Sequence, residues 1–205
     1  MTGSTRSVVA TLAAMLLLAG CQPSSPVEPT PSSSPASPSP APTPSFSCTP
    51  EAGGEQTPCS QAQYDEMKAK DKLYAEAESV FREYFAENIR ISRAGGVKEP
   101  TEVLLSTTSG AFLADVMQIF QDMVERDLRA KGDDPTILIR RLPGVSKAGS
   151  VIALTVCVDA TRWAFFDGDN RVQQGRPAID EIYFGHVDGT LKAIGADGRW
   201  VDSCT

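Results

Sequence analysis

The chain predicts an α+β fold in one domain, with N-terminal helices packed on one face of an antiparallel sheet. Two observations carry this. Apolar residues recur at three and four between about Ser60 and Lys131, and after Asp134 the pattern changes to period two with β-branched residues. Helices first and strands afterwards favour an antiparallel sheet covered on one face. A third observation bounds the answer. The globular composition occupies 48–205, the usual size of one domain with one core.

The first twenty residues have the layout of a secretory signal: Arg6, an apolar run from Val8 to Leu18, and small residues before a cleavage point. The run is 11 residues long, against about 20 for a membrane-crossing helix, so cleavage is expected over retention. Leu18-Ala19-Gly20-Cys21 resembles the lipobox of bacterial lipoproteins. That resemblance implies that Cys21 carries a diacylglyceryl group and becomes the first mature residue. The expected location is the outer face of the cytoplasmic membrane, with the chain held in the cell envelope by two acyl chains.

From Gln22 to Ser47 the composition turns to Pro, Ser, Thr and Ala. Nine of the 15 prolines fall here, so the segment lacks the apolar surface to offset its ordering entropy and is expected to be an extended, disordered tether. At about 3.1 Å per residue it would reach up to roughly 80 Å.

The full chain carries a formal charge of -7, and removal of residues 1–20 takes away one arginine and no acid, leaving 18 basic against 26 acidic residues. With no Lys/Arg cluster, this disfavours nucleic acid and a polybasic membrane surface.

Within the globular part, Ser60 and Gln63 have capping-box spacing, and the first helix is expected to run from there to just before Gly95 and Gly96. Its stripe is Tyr74, Ala77, Phe81, Tyr84, Phe85 and Asn88. A short helical turn is expected over Pro100 to Leu105, and a longer helix from Ser109 to Lys131, stopped by Gly132. Strands are expected at Thr136 to Leu142, Ser150 to Asp159, Arg162 to Phe166 and Ala178 to Val187, and then at Thr190 to Ile194 and Trp200 to Cys204, around a turn at Asp197-Gly198.

Five cysteines are odd for an exported chain, but lipidation of Cys21 leaves four. Of the three connectivities, Cys48 with Cys59 and Cys157 with Cys204 is favoured, in an oxidising compartment. No Cys-x-x-Cys or His-x-x-x-His spacing accompanies His186, so no metal or other cofactor is expected.

The helices, the antiparallel sheet and the ending Asp197-Gly198-Arg199-Trp200-Val201 resemble the cystatin-like cone domain of nuclear transport factor 2-like proteins, which implies that the sheet is curved. With the lipobox, the Pro/Ser tether and Cys157-Val158-Asp159, the whole chain resembles small lipoproteins of high-GC Gram-positive (actinobacterial) bacteria. The cone hosts enzymes, ligand carriers and assembly modules, so the resemblance does not choose a function.

Catalytic motifs are wanting. Gly144 to Gly149 is one residue too long for a Gly-x-Ser-x-Gly elbow, and Asp167-Gly168-Asp169-Asn170 lacks the ligand series of an EF-hand. Resemblance to ketosteroid isomerase and SnoaL-like cyclases implies an acid/base pair on the pocket-lining strands. The candidates are Asp159, Asp180, Tyr183 and His186, but Tyr183 and His186 fall on opposite faces of a regular strand. Trp163, Phe165 and Phe166 are candidates for a contact surface. The expected role is a noncatalytic binding or assembly module that meets an envelope protein or wall polymer, with Asp180, His186 and Trp163 as ligand-binding candidates. The alternative is a small-molecule-binding protein, or a SnoaL-like hydrolase or isomerase, using the cone pocket.

Overall fold

One helix organises the domain, and its ends are written into its sequence. In the computed structural model, which describes residues 45–204, α1 spans Gln61–Ala94. The Ser60 hydroxyl accepts from the Gln63 N–H at 3.3 Å and the Gln63 carbonyl accepts from the Ser60 N–H at 2.9 Å, which satisfies two donors that a bare helix start would leave open. Gly95 ends the helix at φ 98, the left-handed conformation that costs glycine nothing. The stripe Tyr74, Ala77, Phe81, Tyr84 and Ile91 is buried. The expected signal, Cys21 and all but the last residues of the tether lie outside the described residues.

Ahead of the helix, β1 (Phe46–Cys48) pairs antiparallel with β2 (Thr57–Cys59). The Cys48–Cys59 disulfide closes this arch. Phe46 and Ser47, expected at the end of the tether, are therefore already paired. The arch rests on the first turns of α1, with the Phe46 ring 5.3 Å from Tyr64.

After α1 come α2 (Glu102–Thr107) and α3 (Gly110–Glu125). Pro100 is not the first residue of α2; Thr101 caps it, accepting from the Leu104 N–H at 3.3 Å. Nor does α3 continue to Lys131. Asp127 takes φ 47, and Leu128–Gly132 is a strand, β3. Leu128 and Ala130 are buried while Arg129 and Lys131 are exposed, so the two-residue period of a packed strand overrides the helix propensity of Arg, Ala and Lys. Gly132 ends a strand instead of a helix, and a side chain there would strike the Arg162 carbonyl.

The remaining strands are β4 (Thr136–Arg141), β5 (Ile152–Asp159), β6 (Trp163–Asp167), β7 (Asn170–Gln174), β8 (Ala178–Val187) and β9 (Thr190–Trp200). They form two antiparallel sheets, ordered β3-β6-β7 and β4-β5-β8-β9. The sequence reading omits β7, an exposed strand with Val172 as its one aliphatic residue. It also breaks β9 in two. Asp197 and Gly198 are not a turn; they pair with Glu181 and Asp180, and the strand runs on to Trp200, after which Val201 to Cys204 is irregular.

The core lies between the helices and the larger sheet. Ile152, Leu154 and Val156 of β5, Ile182 and Phe184 of β8, and Leu191 and Ala193 of β9 meet Phe81, Tyr84, Ile91, Leu104, Phe112 and Phe120. In β9 the register shifts opposite Tyr183 and Phe184, leaving Ile194 between the partners Ala193 and Gly195. This bulge flips the alternation: beyond it Ala196, Gly198 and Trp200 face the helix side. A second disulfide, Cys157–Cys204, ties the last described residue to β5.

On the opposite face the loop between β4 and β5 packs over Tyr183 and Gly185. Lys147 stands 4.7 Å over the Tyr183 ring and pairs with Asp197. Tyr183 is buried, and its hydroxyl lies 2.8 Å from Glu181 and 3.3 Å from Asp197. These two carboxylates sit directly opposite each other. The hydroxyl and the ammonium group between them offset a like-charge pairing that would otherwise destabilise the sheet.

Candidate functional site at the open end of the sheet

The larger sheet is not covered along its whole helix-facing side. Ala196, Gly198 and Trp200 of β9 are all exposed, although the residues before the bulge, Leu191 and Ala193, are buried. Beside them on β8, Ala178 pairs with Trp200 and Asp180 pairs with Gly198. Small residues thus alternate with large ones across the two strands. Asp180 and Trp200 become diagonal neighbours, about 7–8 Å apart along the backbone, rising from a floor of Ala178, Ala196 and Gly198.

Trp200 is 59% exposed, the highest value among the exposed large hydrophobic residues. The Arg176 guanidinium stacks on its ring at 4.8 Å, an arrangement favoured by the ring quadrupole. Its position is held from three sides: by pairing with Ala178, by the Val201 N–H donating to the Pro177 carbonyl at 3.1 Å, and by the Cys157–Cys204 disulfide just beyond it. A shallow recess of about 400 Å³ opens beside it, lined by Arg176, Pro177, Trp200, Val201 and Asp202.

Asp180 is partly buried. It makes no hydrogen bond or ion pair with any described residue. Burial raises its carboxyl above the ordinary aspartate range, since removing water penalises the charged form. Tyr84, packed edge-on against Phe112 at 5.1 Å, is its neighbour from α1. Burial, and secondarily the Asp180 charge, push the Tyr84 phenol up to about 12, against the lowering effect of Asn88, whose amide donates to the hydroxyl at 3.1 Å. Neutral Tyr84 and a carboxylate with unfilled lone pairs therefore line the inner edge of this floor.

The other ligand-binding candidates are placed elsewhere. His186 is exposed beside the Asp188-Gly189 turn. Six residues of extended strand separate it from Asp180, about 20 Å, so the two cannot share one small substrate as an acid/base pair. Trp163 does not offer a contact surface. It is buried, with the Arg93 guanidinium 4.9 Å from its ring. Phe165 packs against the core and Phe166 lies under Lys131, with 4.8 Å between its ring and the ammonium. Asp159 accepts from the backbone and hydroxyl of Thr161 at 3.0 and 2.7 Å, capping a turn. The sequence places Trp200 at the start of a separate strand and in the closing motif; the structure makes it the last residue of the continuous β9.

A larger cleft of about 910 Å³ lies between the disulfide arch, the start of α1 and the end of β4. Its charges are mostly occupied. Glu51 accepts from the Tyr74 hydroxyl at 2.7 Å and from Lys70 at 3.1 Å, and Arg141 pairs with Asp71 at 2.6 Å while stacking on Tyr74. The Glu51 bonds fasten the arch to the helix, and the Arg141–Asp71 pair fastens β4 to it.

No family profile matches the chain, and no curated protein matches it. Among solved structures, the crystal structure of the intermembrane space region of the chloroplast protein ARC6 is similar, with a TM-score of 0.44 and 16% identity, covering 62% of this chain and 95% of that one.

Proposed function

We propose that the protein is a noncatalytic binding module of the cell envelope, anchored outside the cytoplasmic membrane by a diacylglyceryl group on Cys21 and displayed on the Pro/Ser-rich tether that precedes β1. The domain is read as a nuclear transport factor 2-like cone whose open end meets its partner. One observation carries the binding reading: the uncovered end of β8 and β9, where Trp200 is exposed and Asp180 has no hydrogen bond or ion pair among the described residues, while Asp180 and His186 stand too far apart to act together. Both disulfides are compatible with an oxidising, extracytoplasmic compartment.

A second reading, a small-molecule isomerase or hydrolase of the SnoaL-like kind, draws on the raised carboxyl of Asp180 beside neutral Tyr84.

Anchorage is tested by growing cells of a high-GC Gram-positive host with an alkyne-bearing fatty acid. The full chain should be labelled, membrane-bound and digestible by protease added to intact cells, and Cys21→Ser should be unlabelled. Label-free, soluble wild-type protein would overturn the anchor. Cross-linking through a photoreactive residue at position 202 should trap an envelope component that a probe at exposed Val172 does not.

A further inference from the structure

The side chains at the open end of β8 and β9 select among classes of ligand. From the juxtaposition of Trp200, Arg176, Asp180 and Asp202 we infer that this end binds a neutral, extended glycan; the inference rests on the proposed binding function and names the partner's chemistry.

Sugar rings present C–H bonds from one broad face and hydroxyl groups around their rim. An exposed indole plane matches the first, because its negative quadrupole face attracts polarised C–H bonds and its area is desolvated in the contact. Carboxylates and a guanidinium around the plane match the second, accepting from and donating to hydroxyls. Here Trp200 supplies the plane, with Arg176 already stacked on it. Asp180 lies on one side of the indole, while Asp202 lines the shallow recess beside it. Asp180 does not line that recess, so a ligand using both carboxylates must extend beyond it, which suits a chain of sugars better than a single one.

Three observations set this chemistry above its rivals. The recess beside Trp200 carries two charged side chains, Arg176 and Asp202, among its five lining residues, and none of the other exposed large hydrophobics, Leu105, Ile119, Leu138, Val145, Val151 and Val172, lines it, whereas the core of a protein docking site is depleted in charge. An anionic polymer would meet a chain of formal charge -7 and two carboxylates at the site. A cationic ligand would meet the like charge of the Arg176 guanidinium, 4.8 Å from the indole, whereas a neutral one would not. The platform is also rigid, held by a disulfide and two strands, so little ordering cost would accompany binding.

The test uses the purified full chain and neutral oligomers of N-acetylglucosamine and of glucose. The chain has two tryptophans, and since Trp163 is buried, acrylamide quenching reports chiefly on Trp200. A saturable loss of quenching with at least one oligomer is expected. Trp200→Ala should weaken binding, read by calorimetry, by about tenfold or more while leaving the melting temperature close to wild type. Asp180→Asn, whose amide still bonds hydroxyls, should weaken it by only about two- to fivefold. Absence of saturable binding to every neutral oligomer, or full retention by Trp200→Ala, would overturn the glycan assignment. So would tight binding of tetramethylammonium that Asp180→Asn abolishes. Cross-linking at position 202 to a protein, with no oligomer bound, would overturn the glycan and leave the binding module standing; loss of every position-dependent cross-link would bring down the module itself.

Discussion

The Asp180 carboxylate lies over Gly198, its cross-strand partner, in the volume that a side chain at 198 would fill. The glycine leaves room for this neighbour and serves no turn, since Gly198 has no left-handed φ. Gly198→Ala should therefore cost about 1–3 kcal/mol by overpacking. Adding Asp180→Ala should recover most of the loss. Urea denaturation of the two single variants and the double variant measures the coupling, and strictly additive losses would show that the two residues do not touch.

The raised carboxyl of Asp180 gives a pH dependence with a definite sign. The folded state binds this proton more tightly than the unfolded chain, whose ordinary value is 3.8. This contribution to stability is greatest below that value and is lost as pH rises through the folded pKa. Asp180→Asn should thus be more stable than wild type at neutral pH, and the gap should close on acidification. Unfolding free energies of both proteins across the acid range check this, and a gap that widens toward low pH would show the opposite shift.

The two disulfides should differ in weight. Cys157 and Cys204 are 47 residues apart in sequence and Cys48 and Cys59 are 11 apart, so chain entropy assigns about 4 and about 3 kcal/mol respectively. Paired Cys→Ser variants, compared by chemical denaturation, should keep that order. The Cys157/Cys204 pair should also speed amide exchange at Val201, whose bond to Pro177 it supports.

Asp127 is the point where helix gives way to strand, at φ 47. A β-branched side chain is poorly accommodated there, and Asp127→Val should lose about 1–2 kcal/mol, whereas Asp127→Gly should be close to neutral or gain stability. Thermal melts of the two variants decide it. Equal stability would mean that the backbone at 127 relaxes freely.

What was legible in the sequence was local. Ser60 with Gln63 and Gly95 mark both ends of α1 because capping is settled within a few residues. β8 could be bounded because it lies between Pro177 and the Asp188-Gly189 turn and carries Ile179, Ile182, Tyr183, Phe184 and Val187, residues that favour strands. β3 was read as helix because Arg129, Ala130 and Lys131 are good helix formers, and the partner that makes them a strand, β6, lies more than thirty residues later. Gly198 was read as a turn for a similar reason: its role is to leave room for Asp180, eighteen positions earlier. The candidate site suffered most. Asp180 was visible as an inward carboxylate, but Trp163 turned out to be core and His186 remote. Trp200 becomes recognisable only when β9 is continued past Asp197 and its bulge at Ile194 is counted.

The arch at the start of the domain also has a mechanical side. A pull on the chain N-terminal to Phe46 would enter through β1, and a two-strand hairpin by itself would unzip. The covalent bridge from Cys48 to Cys59 bypasses the intervening residues and hands the load directly to Ser60 and the axis of α1. About 35 Å of chain is thereby withheld from extension. The bonds that fasten the arch to Lys70 and Tyr74 would then be loaded in shear along a long helix, so a tugged domain should keep its sheet, and the site at its far strand, intact while its leading edge takes the strain.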